Sequence, residues 1–340
     1  MGLALEQKNQ TTLAFIGGGL VITLGGAWQA YLHFSEKPSE APKVTASEGG
    51  IAAGGNISAT SAPGGTAVVA AGNVTIGITP EQFATELKRR EQEIRHELAQ
   101  ASAADKEKIA LLEKQLADTQ AKLENPQAAL EDYKNKLAQA RQALDDLQGE
   151  FSAEQLEQAR QGLTKGDVSK AEMLFRQVLL VSESKEKTAE SAYQLGQLAT
   201  GRIDYRSAYQ YHKQAAELQP DNPLYLNAAG EIAYTVGRYS EAEPLLQRAL
   251  AIREKALGPE HPDVAASLNN LAALYDAQGQ YAEAEPLYQR ALAIWEKALG
   301  PEHPDVDTGL ENYAALLQKL GRSDEAKRME ARAEAIRDKH

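Results

Sequence analysis

The sequence predicts a mainly α-helical chain. Its C-terminal half reads as a right-handed α-solenoid of stacked helix pairs, preceded by a coiled-coil stalk, a short Gly-rich β element and an N-terminal transmembrane helix. Three observations carry that expectation. The eleven residues EKALGPEHPDV occur identically at 254–264 and 296–306, 42 residues apart. Leucine and isoleucine recur at heptad-type steps between residues 87 and 147. No charged residue occurs from Asn9 to Ser35.

Composition divides the 340 residues into two regimes. Fourteen of the 26 glycines precede residue 81, where only seven charged residues occur; the remainder is rich in Ala, Leu, Glu, Gln and Lys. The net charge of −12, with bases interleaved among acids, excludes the basic stripe that a nucleic-acid surface needs. With no cysteine there is no disulfide, thiolate nucleophile or Cys-ligated metal. No cofactor is implied.

After a tail over residues 1–12, the stretch 13–34 is apolar, free of formal charge and long enough to cross about 30 Å of hydrocarbon as a helix. That predicts a single-pass membrane anchor of undetermined orientation, the competing reading being a cleaved signal peptide. A linker spans 35–48. Residues 49–79 carry two similar phrases, IAAGGNIS and VAAGNVTIG, which alternate β-branched and small residues about turn signals. Strands this short bury little by themselves, so they are expected to pair with other copies of the chain, unless the segment is a flexible linker.

Thr79-Pro80-Glu81 is a helix-opening signature: a cap, proline at the first helical position and an acid in the first turn. The helix is expected to run to about Glu124. Asn125-Pro126 opens the next, in which Leu130, Leu137 and Leu144 keep a strict heptad. This predicts a coiled coil over 80–149 and a homo-oligomer held by residues 49–147. The alternative is a bundle folded back within one chain.

Beyond Gly149 the chain is periodic. Gly237, Gly279 and Gly321 are 42 residues apart and bring Leu226, Leu268 and Leu310 into register, with Ala242, Ala284 and Ala326 likewise. A period between 20 and 50 residues signifies a stacked array of supersecondary units. The phrase LNNLAALYDAQGQYAEAEPLYQRALAI resembles the tetratricopeptide repeat, in the 42-residue form of kinesin light chain. Five units are expected within 152–340, at 152–185, 186–221, 222–257, 261–299 and 303–338. The histidines of the duplicated phrase, His261 and His303, precede Pro262 and Pro304, so they read as helix-capping joints rather than paired chemical sites. No nucleophile, phosphate-loop or metalloprotease motif accompanies them, and an enzyme is not expected.

The resemblance implies a protein- or peptide-binding groove lined by the first helix of each pair. Its residues would be Tyr193, Gln197, Asn227, Glu231, Tyr234, Asn269, Asn270, Asp276, Glu311, Asn312 and Gln318. Asparagine suits such a wall because its amide both donates to and accepts from a peptide backbone. The expected function is a non-enzymatic, membrane-anchored adaptor; the alternative is a structural spacer whose repeats bind copies of themselves.

Overall fold

The structure, a computed structural model, describes residues 11–16, 19–24, 27–33, 76–102 and 105–339. Residues 1–68 and 69–340 are separate units. In the first, Thr11–Ile16 (β1), Gly19–Leu24 (β2) and Ala27–His33 (β3) form an antiparallel sheet in that order, pairing Thr11 with Leu24 and Gly19 with His33. This corrects the expected transmembrane helix over 13–34. Gly17-Gly18 and Gly25-Gly26 divide the stretch into short runs, the first two containing β-branched residues and the third Trp28 and Tyr31. Gly-Gly favours a two-residue hairpin connection, whereas each glycine costs about 1 kcal/mol inside a helix. Among the described residues no helix is long and apolar enough to cross a membrane. The short strands expected over 49–79 lie outside the described residues, apart from 76–79, which form no strand.

The second unit opens with Pro80–Gln100 (α1). Thr79 caps it through a reciprocal capping box with Gln82, and Phe83, Leu87 and Ile94 face inward. The helix stops at Ala101, and Lys106–Glu124 (α2) folds back against it. The one long helix expected to Glu124 is therefore two. Between Leu98 and Ile109 every residue is polar or alanine, so no large apolar side chain ties that stretch to a partner and resists the break. Pro126–Ala143 (α3) follows, capped by the Asn125 side chain, and ends in a 3-10 turn at Leu144–Leu147.

The heptad leucines do not serve a partner copy. Leu130, Tyr133, Leu137, Leu144 and Leu147 are buried in one core with Leu156, Leu163, Phe175, Leu195 and Leu198 of this same chain. The coiled-coil stalk is thus corrected to an intrachain helical cap, with α3 packed on α4 and α6.

Five helix pairs follow: Ala153–Thr164 (α4) with Ser169–Val181 (α5), Lys185–Gly201 (α6) with Tyr205–Leu218 (α7), Pro223–Thr235 (α8) with Tyr239–Leu257 (α9), Pro262–Ala277 (α10) with Tyr281–Leu299 (α11), and Pro304–Lys319 (α12) with Ser323–Arg337 (α13). In four of the five, the turn inside the pair needs a left-handed residue, and glycine supplies it at Gly166, Gly237, Gly279 and Gly321, with φ between 74° and 82°. In the α6–α7 turn that role falls to Ile203, at φ 60°. A β-branched residue there costs on the order of 1–3 kcal/mol, which the surrounding structure must offset.

Both duplicated histidines are helix caps: Nδ1 of His261 accepts from the Asp263 N–H, and Nδ1 of His303 from the Asp305 N–H, at 3.1 Å each. The far edge of the stack is closed differently. Tyr288, Leu292 and Trp295 of α11 are buried, Trp295 lying against Gly309 of the next pair. Shifted by 42, the same positions of α13 are Glu330, Glu334 and Arg337, all exposed. The outer face of α13 is therefore polar where that of α11 is apolar, the kind of edge that needs no further repeat to cover it.

Because Leu137 is fully buried, Leu137→Ala should lower the unfolding free energy by about 2–5 kcal/mol, read as a shift in urea midpoint. That midpoint should be independent of protein concentration, since the stripe is covered within one chain. A concentration-dependent midpoint would restore the self-associating stalk.

Candidate functional site

First helices of successive pairs contact one another directly, α8 with α10 and α10 with α12, whereas the second helix of each pair packs against the first helix of the next. That arrangement puts α8, α10 and α12 on the inner, concave wall. Two hydrogen-bonded asparagine rungs cross it. The Asn270 amide donates to Asn227 Oδ1 at 3.4 Å, and the Asn312 amide donates to Asn269 Oδ1 at 3.1 Å. Sequence spacing explains the offset: the rung joins a residue to the one 43 positions on, one repeat plus one residue, so adjacent register positions meet across the helix gap.

The remaining expected residues divide by position. Tyr193 is not on the wall. It is buried in a core cluster with its ring beside Tyr225 and His212, and its hydroxyl accepts from Gln197 Nε2 at 2.6 Å. Asp276 is tied to Lys319 at 2.7 Å, and Gln318 donates to Glu330 at 3.3 Å. Glu311 is paired with Arg337. These last three hold the final pairs together at the edge of the wall.

Gln197, Glu231 and Tyr234 meet residues that spacing could not supply. Gln197 and Glu231 line a groove of ≈ 580 Å3 closed on its other side by α2 and α3, which contribute Lys114, Lys122 and Lys136. Glu231 is an exposed side chain on the groove wall, and the protein surrounding it holds its carboxyl above the usual range. Burial likewise pushes Lys122 down. Lys114 lies 5.2 Å from the centre of the Tyr234 ring, a cation–π contact. The lysines carry no repeat signature, because they belong to the cap rather than to the array.

His212 borders the same groove from α7 and also escaped the sequence reading. Gly196 makes room for it: a Cβ at that position would lie 2.6 Å from the imidazole. The ring is 3 % exposed, Nδ1 has no hydrogen-bond partner, and burial, assisted by the nearby Lys136 charge, lowers its pKa from 6.5 to about 4.

The tetratricopeptide repeat profile matches residues 223–294 and 277–339, so the region containing α8–α13 is built of tetratricopeptide repeats. No curated protein sequence matches the chain. Among solved structures, it is similar to the nearly identical TPR-like repeats of a Podospora anserina protein described as a kinesin light chain. That similarity has 28 % identity over 55 % of this chain and 94 % of that one, with a TM-score of 0.46. BtubC from P. vanneervenii matches at 19 % identity over 77 % of this chain and 92 % of its own, with a TM-score of 0.46. YrrB, described as a TPR protein with an unusual peptide-binding site, matches at 16 % over 57 % and 91 %, with a TM-score of 0.41.

Two outcomes are expected. A double-mutant cycle of Asn269→Ala and Asn312→Ala should return a coupling of about 0.5–1.5 kcal/mol in urea unfolding. For His212, the unfolded chain takes up the proton at higher pH than the folded one, so its contribution is complete above about pH 6.5 and is lost as pH falls through about 4. Between pH 7 and pH 4 the natural protein should therefore lose about 3 kcal/mol more stability than His212→Phe.

Proposed function

We propose that the chain is a non-enzymatic scaffold that holds a protein or peptide partner against the concave wall of its tetratricopeptide repeats. The observation that carries this reading is the pair of asparagine rungs. Each rung engages one amide atom of each residue and asks nothing of the other, so a wall of this kind offers donors and acceptors to an extended backbone without reading its side chains. Ala273, one turn beyond Asn270 on α10, is half-buried and adds only a methyl group beside the rung. The polar edge of α13 disfavours the alternative in which arrays stack end to end.

A photo-cross-linking residue in place of Ala273 should capture the partner, whereas the same residue in place of the exposed Ala282 on α11 should not. With the captured partner's peptide in hand, Asn227→Ala combined with Asn270→Ala should weaken binding by about 1–3 kcal/mol by calorimetry. Equal capture from both positions, or unchanged affinity in the double variant, would place the interface elsewhere. Attachment to a membrane through residues 13–34 is a separate part of the proposal, supported by their apolar, charge-free composition. Release of the intact chain from membranes by carbonate would remove it.

A further inference from the structure

The helix α2 is seated on the repeats by polar contacts. Its buried residues are Leu112, Gln115 and Thr119, two of them polar, and none belongs to an apolar core cluster. Leu111 and Leu123 only touch a core from its margin. Apart from its packing on α1, what fixes the helix to the repeats is a short series of specific bonds. Gln115 Nε2 donates to the Ile203 carbonyl at 2.7 Å, and the Tyr205 hydroxyl donates to Asp118 at 2.8 Å. Lys114 covers the ring of Tyr234. Two of these contacts converge on the α6–α7 turn, whose left-handed Ile203 is fully buried, so the one β-branched residue forced into that conformation among the described residues is also the catch for α2.

α1 ends at Gln100 and α2 begins at Lys106, and Asn125 separates α2 from α3, so α2 is a helix of its own at both ends. Beneath it lies the groove in which Glu231 and Lys122 face the same space. Among the described residues neither forms an ion pair; Glu231 is exposed on the groove wall and Lys122 is half-buried, and the surrounding protein disfavours both charges. An element with few buried apolar contacts, bounded by breaks, opens at lower free energy than the body it covers.

We propose that α2 is a displaceable lid over the α6–α8 end of the concave wall, and that a partner reaches Gln197, Glu231 and Tyr234 only when α2 lifts from the Ile203 turn. Its significance for binding rests on the concave wall being the partner surface. The lid itself is tested without any partner, so the two readings fail separately.

The test is native-state hydrogen exchange on the intact chain. Amides of residues 106–124 should be protected at least about 100-fold less than those of 262–299, and should exchange as one unit. Combining Gln115→Ala with Tyr205→Phe should speed exchange in 106–124 by about ten-fold or more while leaving 262–299 unchanged. Unchanged exchange in 262–299 also shows that the variant is folded. Equal protection of both segments in the natural chain would overturn the proposal, as would a variant whose two segments accelerate together, because α2 would then open only with the whole array.

Discussion

The apolar edge that each helix pair presents to the next is the constraint from which the remaining architecture follows. Between α11 and α12 that edge is Tyr288, Leu292 and Trp295, and Gly309 is small because the indole rests on it. A pair cannot cover its own edge, so each must be followed by another unit or by something that imitates one. At the C-terminal end the problem is removed by chemistry, with charged residues at the corresponding positions of α13. At the N-terminal end α3 lies across α4 and α6, the first helices of two pairs, with Tyr133, Leu137 and Leu144 in their common core.

That division explains why surface charge contributes little to the stack although it repeats faithfully. Glu254–Arg290 and Glu296–Arg332 are the same ion pair one repeat apart, at 2.8 and 2.6 Å, and Glu260–Lys297 recurs as Glu302–Lys339. These side chains range from about a third to mostly solvated, and such pairs contribute roughly 0–1 kcal/mol each. Burying one large apolar side chain contributes roughly 1.5–3 kcal/mol. Apolar edges hold the stack, and the ion pairs fix register.

Much of the array was legible because its rules are local. A left-handed glycine, a proline at the first helical position and an alanine where two helices touch each leave a mark in the chain itself, and the duplicated phrase resolves into caps on that basis. The cap was legible only in part. A heptad stripe states that a helix has an apolar face, but not whose surface covers it, and Leu137 looks the same whether its partner is another chain or α6. Tyr193 differs for the opposite reason: register placed it on the wall, while its ring packs into the core beside His212 and Tyr225. Over 13–34 the apolar content was plain, but hydropathy does not distinguish one long helix from three short strands, and the paired glycines decide between them.

The asymmetry between the two ends of the wall bears on how a partner would be held. Over α10 and α12 the inner face carries the asparagine rungs, and among the described residues no hydrogen bond from the cap reaches it. Over α6 and α8 the cap intrudes, bringing lysines opposite Glu231 and a hydrogen bond to the strained Ile203 turn. A strained residue persists where its surroundings over-determine it, and here the surroundings include α2 itself, through Gln115. The contact that helps to offset the cost of the turn is therefore the same one that keeps α2 over the groove. Loosening either weakens both, which couples the position of the cap to the integrity of the α6–α7 pair while leaving the later repeats, stacked on their own apolar edges, unaffected.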